Sequence, residues 1–552
     1  MSERAQAGDP FGLKHLVALW RDARGGTPTD FPGWPERGIA LIGDFSGIQS
    51  FVFRPVPGAG GAARRLRARS FRVSAYTELA ARLCLSRLRG YDPKVLYSGG
   101  GRFLIGLESG SDWRTTIDNL QREIDSWAWG LFEGELVFHL AAAPFDSGRI
   151  PWDALYESLQ ARRAQPLRAA LAPGGRWETH EFYRRAKAGE ARCDACSVTG
   201  SVHAAGDGGV ICALCDQDEQ IGRKVVRSRL ARLTTRGPSD LGFAGLGMEL
   251  CDERKGAAQA WLDMEGGANA PDAWPLLRHA PTGENGPLDF GKIADLSAGA
   301  RKWLGYLRVD VDRAGKAFAD LAGDPLRTWA LSRLLHVFFT CETNQLLRSR
   351  FSNTYAVFGG GDDLFVVGPW NEVLDLALSL RLKFRELTNN ALTFSAGLSL
   401  ARPRDHILTK AREAGYELEV AKERPALGRH CGRDQIRGLG VTCAWDEIGR
   451  LLGTAKQAAR WMESGEMPSR FLHQALELHQ AWAEARRRFP DSETGISARY
   501  GPLLYYQIRR NVKPGPAKQW ADSLTGPRSD WPRADFVLRY AMLASKRGEE
   551  VT

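Results

Sequence analysis

At 552 residues the chain is too long for a single core, at the usual ~100 to 200 residues per domain, and its 43% hydrophobic and 25% charged content, with 24 Phe and 17 Trp, excludes an intrinsically disordered protein. It has no run of ~18 apolar residues and no signal-peptide core, which predicts a cytoplasmic protein that needs no membrane. A formal charge of +10 suits an RNA- or DNA-contacting surface and is also ordinary among soluble proteins. The nine cysteines are an odd number, and Cys84, Cys251, Cys341, Cys431 and Cys443 lie scattered in apolar contexts, the pattern of reduced core thiols.

An N-terminal extension over 1–35 precedes a first unit at 36–185. This unit reads strand (Ile39 to Gln49), helix (Ser70 to Leu88), strand and hairpin (Val95-Leu-Tyr-Ser-Gly-Gly-Gly-Arg-Phe-Leu-Ile105) and strand (Leu136 to Pro144). Gly58-Ala-Gly-Gly-Ala-Ala-Arg-Arg-Leu-Arg-Ala-Arg69 reads as a mobile basic loop and lacks the Gly-Lys-Ser/Thr ending of a P-loop. Residues 186–220 hold Cys193-Asp-Ala-Cys196 and Cys212-Ala-Leu-Cys215, the spacing of a closed, structural four-thiolate Zn2+ ribbon. A redox C-x-x-C pair and His203 as a substitute ligand are the alternatives. Residues 221–298 read as a small, mostly helical domain with an irregular linker (Gly266 to Asn285), whose Arg223 to Leu233 stretch is a basic stripe or a solvated face.

The first unit then repeats at 299–445. A strand through Leu304-Gly-Tyr-Leu-Arg-Val-Asp310-Val-Asp312 leads to a helix (Asp324 to Leu347), then to the hairpin Tyr355-Ala-Val-Phe-Gly-Gly-Gly-Asp-Asp-Leu-Phe-Val-Val-Gly368, and later to Leu392–Ala401. From 446 to 552 the pattern is helical, with Trp461, Phe471, Leu472, Leu476 and Trp482 spaced as a buried stripe. The fold class predicted is α+β: two ferredoxin-like, split βαβ palms with a zinc ribbon between them and a helical C-terminal domain. Aligning the glycines puts Arg102 and Phe103 at Asp362 and Asp363, and aligning the first strands puts Asp44 at Asp310 and Ser46 at Asp312. Only the second palm therefore keeps a full acidic cluster.

Gly-Gly-Asp-Asp alone is compatible with an ordinary type I′ turn. With Asp310 at the end of the adjoining strand, the carboxylates Asp310, Asp362 and Asp363 converge into a hard-oxygen site for two Mg2+ or Mn2+ ions. Gly360 and Gly361 leave room for a nucleotide, and the Val311, Asp312 to Gly315 loop offers free N–H groups to a triphosphate.

Asp44-Phe-Ser-Gly-Ile-Gln-Ser-Phe-Val-Phe53, Leu66-Arg-Ala-Arg-Ser-Phe71, Asp310-Val-Asp-Arg-Ala-Gly315, Gly360-Gly-Asp-Asp363 and Ser395-Ala-Gly397 together resemble the large polymerase-like subunit of type III CRISPR effector complexes, in its Csm-type form. The resemblance spans residues ~36 to ~445. It implies a protein that makes cyclic oligoadenylates from ATP when its complex, with guide crRNA, other subunits and a small helical subunit, binds target RNA. It further implies metal-binding catalytic roles for Asp310, Asp362 and Asp363, nucleotide contacts from Gly360 and Gly361, and a triphosphate-binding Lys422, for which a solvated helix position is the alternative reading. Many members begin with an HD nuclease domain. This chain has a lone His15 before the first palm and no His-Asp dipeptide, so HD-type DNase activity is not expected. The rival readings are a stand-alone nucleotide or diguanylate cyclase and an inert RNA-binding scaffold.

Overall fold

A computed structural model describes residues 11–22, 28–54, 61–110, 112–172, 175–176, 190–204, 209–265, 272–284, 286–488, 499–525 and 530–545. The first part of the basic loop, residues 58–60, lies outside these, as do much of the N-terminal extension and part of the 266–285 linker.

The opening helix α1 (Leu13–Arg21) leads to β1 (Gly38–Ser46), α2 (Ala62–Arg87), β2 (Lys94–Gly99), β3 (Arg102–Glu108), α3 (Trp113–Phe132), β4 (Val137–Phe145) and α4 (Trp152–Arg163). The four strands form one antiparallel sheet in the order β2-β3-β1-β4. Residues 62–69, expected in a mobile loop, instead form the first turns of α2. Arg65, Arg67, Arg69 and Arg72 are buried there because a helix that turns Asp218 and Glu219 toward them covers them. That helix, α5 (Ala213–Arg227), starts directly at the last cysteine pair. Asp218 takes Arg69 Nε at 2.9 Å and Arg72 Nε at 2.6 Å, and Arg67 donates to the Gly222 carbonyl at 2.7 Å. A side chain at Gly222 would collide with the Arg64 backbone, so the close α2–α5 packing requires glycine.

The next region corrects the expectation of a mostly helical domain. The chain leaves α5 at Ser228 in extended conformation and forms β5 (Leu230–Thr234), β6 (Leu241–Phe243), β7 (Leu246–Cys251) and β8 (Ala260–Asp263), an antiparallel sheet ordered β6-β7-β5-β8. The basic stripe is divided between helix and strand and neutralised locally: Arg223 meets Glu219, Lys224 meets Asp240, Arg229 meets Asp263 and Arg232 meets Glu249.

The second palm comprises β9 (Leu304–Val311), α6 (Pro325–Val337), β10 (Tyr355–Gly360), β11 (Asp363–Pro369), α7 (Trp370–Thr388), β12 (Phe394–Ala401), α8 (Ile407–Glu423), β13 (Gln435–Gly438) and β14 (Val441–Ala444). Its first four strands repeat the earlier order, β10-β11-β9-β12, and β13-β14 extend the sheet. Asp324 caps α6 by accepting from Arg327 N, with Pro325 at the first turn. Five residues of π-helix, Phe338–Glu342, then join α6 to a further helix, Thr343–Arg350.

The C-terminal part is helical: α9 (Trp445–Ser464), α10 (Ser469–Arg488), α11 (Tyr500–Asn511), α12 (Pro516–Ser523) and α13 (Ala534–Ala544). Trp461, Phe471 and Leu472 are buried, and Leu476 and Trp482 pack partly buried against the same core. Of the scattered thiols, Cys431 departs from the expected core setting and is exposed. Among the described residues, no helix is long and apolar enough to cross a membrane.

Candidate active site

The acidic residues of the second palm meet through strand register. Asp310, near the end of β9, lies directly opposite Asp363, the first residue of β11, and the Val311 N–H donates to the Asp362 carbonyl at 2.9 Å. Burial and the neighbouring Asp362 and Asp310 carboxylates push the Asp363 carboxyl up to about 7. Asp310 is also raised, first by burial, with Lys422 opposing and Asp362 and Asp312 adding to the rise. Lys422 Nζ stands 2.8 Å from Asp310 Oδ2 and 3.2 Å from Glu419. Burial acts to lower the Lys422 ammonium, and those two carboxylates outweigh it and hold it above its ordinary value.

The Ser395-Ala-Gly397 motif explains how Lys422 arrives there. A Cβ on Gly397 would sit 2.2 Å from Leu418 N, so only glycine lets α8 lie this close on β12. One turn beyond Leu418, Lys422 reaches the end of β9.

Asp312 has a different place from the loop role expected of it. Ser395 Oγ and Thr393 Oγ1 each donate to its carboxylate at 2.7 Å, the Asp434 N–H adds a third bond at 2.8 Å, and its own N–H is taken by the Thr393 carbonyl. The strand ends at Val311 and the chain turns through left-handed Arg313, which rotates Asp312 inward as a strut between β9, β12 and the approach to β13. Gly315 lines the cleft beside the acidic cluster, with open space where a side chain would project.

In the first palm the same register pairs Asp44 with Arg102. Both hairpins carry a bulge, at Val95/Tyr97 and at Ala356/Phe358, and pair Gly99 with Arg102 and Gly360 with Asp363. The pleat therefore matches Arg102 to Asp363 and Gly101 to Asp362, which moves the glycine-based alignment by one residue. Asp44 is 4% exposed. Arg102 Nε holds its Oδ1 at 2.8 Å and Arg163 Nη2 its Oδ2 at 2.5 Å. Arg163, which the sequence did not single out, comes from the Ala-Arg-Arg end of α4 and carries no local signal.

The two palms face each other across a cleft of about 600 Å³ lined by Asp44, Arg102, Arg163, Gly315, Asp362 and Asp363, among others. The second-palm donors are carboxylate oxygens carrying surplus negative charge, which fits hard divalent cations such as Mg2+ or Mn2+.

Cys193, Cys196, Cys212 and Cys215 place their sulfurs within 4.8 Å of one another. The Cys196–Cys212 separation is 3.8 Å, and tetrahedral zinc with Zn–S bonds of ~2.3 Å spaces its sulfurs about 3.8 Å apart. Arg69 Nη2 lies 3.2 Å from Cys215 Sγ. His203 faces Asp216 at 3.7 Å instead of joining the thiolates.

Two like palms with a single acidic cluster among the described residues, separated in the chain by a four-cysteine module, define a two-palm architecture, and the comparisons narrow it. Residues 303–435 match the family model for the Cas10/Cmr2 second palm domain, and residues 39–166 match Csm1 subunit domain B. The chain is 27% identical over 455 residues to the CRISPR system single-strand-specific deoxyribonuclease Cas10/Csm1 (subtype III-A) of Mycobacterium tuberculosis, covering 73% of this chain and 54% of that protein. With its counterpart in Thermococcus onnurineus it shares 25% identity over 434 residues, covering 70% and 54%. The chain thus spans about half the length of the curated relatives it matches. Crystal structures of a Csm1-Csm4 cassette in complex with cA3 and with one ATP superpose with TM-score 0.69 at 19% identity, each covering 96% of this chain and 72% of the other. Residues 303–435 thus match a Cas10-type second palm and residues 39–166 a Csm1-type domain B.

Proposed function

We propose that this chain is the cyclic oligoadenylate synthase of a type III CRISPR RNA-guided complex: a nucleotidyltransferase that joins ATP molecules once the complex has bound target RNA. The observation that carries the reading is the carboxylate cluster Asp310, Asp362 and Asp363, set on paired strands with charge left uncompensated and opening on a cleft between two ferredoxin-like palms. Relatives of the same fold have been crystallised with ATP, cA3 and cA4, which supports adenosine nucleotides as ligands here.

Asp310, Asp362 and Asp363 would hold two Mg2+ or Mn2+ ions, which supply Lewis-acid charge for 3′-hydroxyl attack on an α-phosphate when bound. Gly360 and Gly361 keep the turn open for the nucleotide. Val311 anchors that turn through its N–H, and Asp312 fixes the strand beneath it. Gly315 leaves the opposite wall clear, and Lys422, 2.8 Å from Asp310, neutralises part of the cluster and would meet the phosphate oxygens of a nucleotide bound there. The four cysteines would bind a structural Zn2+ ribbon, closed to substrate, that clamps α5 on α2. Guide crRNA, target RNA and further Csm-type subunits are the partners, the helical C-terminal part offering a surface to a small helical subunit. The chain contains no His-Asp dipeptide, and the proposal includes no HD-type nuclease step.

The test incubates the assembled complex with ATP, Mg2+ and matching target RNA and looks for cyclic oligoadenylates by mass spectrometry. Product dependent on target RNA is expected. Absence of product from a complex that binds its target would overturn the reading.

A further inference from the structure

The Leu66-Arg-Ala-Arg-Ser-Phe71 motif lies on α2, and its second arginine reaches the four-cysteine module. Arg69 is 1% exposed. Its guanidinium donates through Nε to Asp218 Oδ2 at 2.9 Å and through Nη2 to Cys215 Sγ at 3.2 Å. Cys215 and Asp218 stand three residues apart on α5, so one planar fork spans one turn of that helix, with a sulfur on one arm and a carboxylate on the other. The backbone treats another of the sulfurs alike: the Cys212 N–H donates to Cys193 Sγ at 3.3 Å.

Charge balance gives the Arg69 contact its weight. Arg69 and Arg72 are both buried, and the enclosed carboxylate of Asp218 pairs with the two of them. Glu135 acts on Arg69 through charge alone and is itself paired with Arg54. Two buried guanidinium groups that share one carboxylate call for a second anion. The sulfur of Cys215 is the atom that Arg69 Nη2 meets, and a zinc-bound thiolate there carries the missing charge. The same stretch of α2 also braces the second palm. The Tyr355 hydroxyl donates to the Ala63 carbonyl at 2.7 Å, and the Arg67 guanidinium lies 4.7 Å over the Tyr355 ring. Tyr355 opens β10, the strand that runs into Gly360.

We propose that Arg69 is a positioning residue for the zinc centre: its bond to the Cys215 thiolate helps hold the metal, and the bound metal in turn holds the arginine-rich start of α2 between α5 and Tyr355. The inference rests on the zinc-ribbon reading above and is independent of the nucleotidyltransferase one. It makes the motif a joint between the cysteine module and the palms.

The experiment measures the Zn2+ affinity of the full chain by competition with a chromogenic chelator. Arg69→Lys keeps a positive charge beside Asp218 but loses the fork that reaches the sulfur, and should weaken zinc binding roughly tenfold or more. Arg72→Lys disturbs the same Asp218 pair without touching a zinc ligand and should stay near the wild-type affinity. Equal loss in the two variants would assign the effect to packing and overturn the proposal, as would wild-type affinity in Arg69→Lys. The wild-type chain supplies a second test that needs no variant to fold: chelating its zinc should speed amide hydrogen exchange across residues 62–72 and leave α6 as it was. Unchanged protection of 62–72, or a rise shared equally by α6, overturns the proposal. A wild-type chain that binds no zinc sinks the ribbon reading together with this inference and leaves the nucleotidyltransferase reading standing.

Discussion

The two palms share strand order, register and even the position of a bulge, yet handle charge in opposite ways. In the first, one carboxylate, Asp44, is gripped by two guanidinium groups, Arg102 and Arg163. In the second, Asp310, Asp362 and Asp363 face Lys422, which bonds Asp310, and Arg308, which acts on Asp363 through charge alone, and burial with mutual repulsion still raises Asp363. The lesson is that a palm loses its need for cations when protein cations replace them: the first palm satisfies its acid internally, and the second is left needing charge from outside.

The largest effect expected from breaking this contrast is on turnover. In the assembled complex with target RNA, Asp362→Ala with Asp363→Ala should reduce cyclic oligoadenylate formation at least ~10²-fold, while Asp44→Asn should keep most of it, both measured by product mass spectrometry. Next comes stability. Asp218→Ala strips two buried arginines of α2 of their counter-ion and should cost about 3 to 5 kcal/mol in denaturant unfolding. Lys422→Met removes the one ammonium at the cluster and should weaken ATP binding by about tenfold in calorimetric titration with Mg2+.

The last expected effect is a pH dependence. Asp363 holds its proton to about 7 in the folded chain, against ~3.9 for a free side chain. Between those values the folded state binds more protons than the unfolded state, so the metal-free protein loses stability as pH rises from about 4 to about 7. Asp363→Asn should flatten that slope in thermal melts recorded with chelator, and added Mn2+ should raise the wild-type melting temperature more at pH 8 than at pH 5.

Much of this contrast was legible in the sequence, because Gly-Gly-Asp-Asp and Asp310 sit at strand ends that a split βαβ plan makes neighbours. The remainder depends on partners far along the chain. Arg163 reaches Asp44 from the end of α4, and the first arginines of α2, up to Arg69, which read as a mobile basic loop, are buried because Asp218 and Glu219 on α5 cover them. Asp312 read as part of a triphosphate-binding loop, but the turn at Arg313 rotates it into the sheet, where Thr393 and Ser395 hold its carboxylate. The alignment of the two hairpins was displaced by one residue because the β-bulges set the pleat, and a run of three glycines carries no register of its own.

The contrast between the palms is tested most directly by titrating Mn2+ into the full chain and counting bound ions by electron paramagnetic resonance. The account predicts that Asp310→Ala with Asp363→Ala abolishes the binding and that Asp44→Ala leaves it intact. Mn2+ binding that survives the loss of Asp310 and Asp363, or that disappears with Asp44, would contradict it.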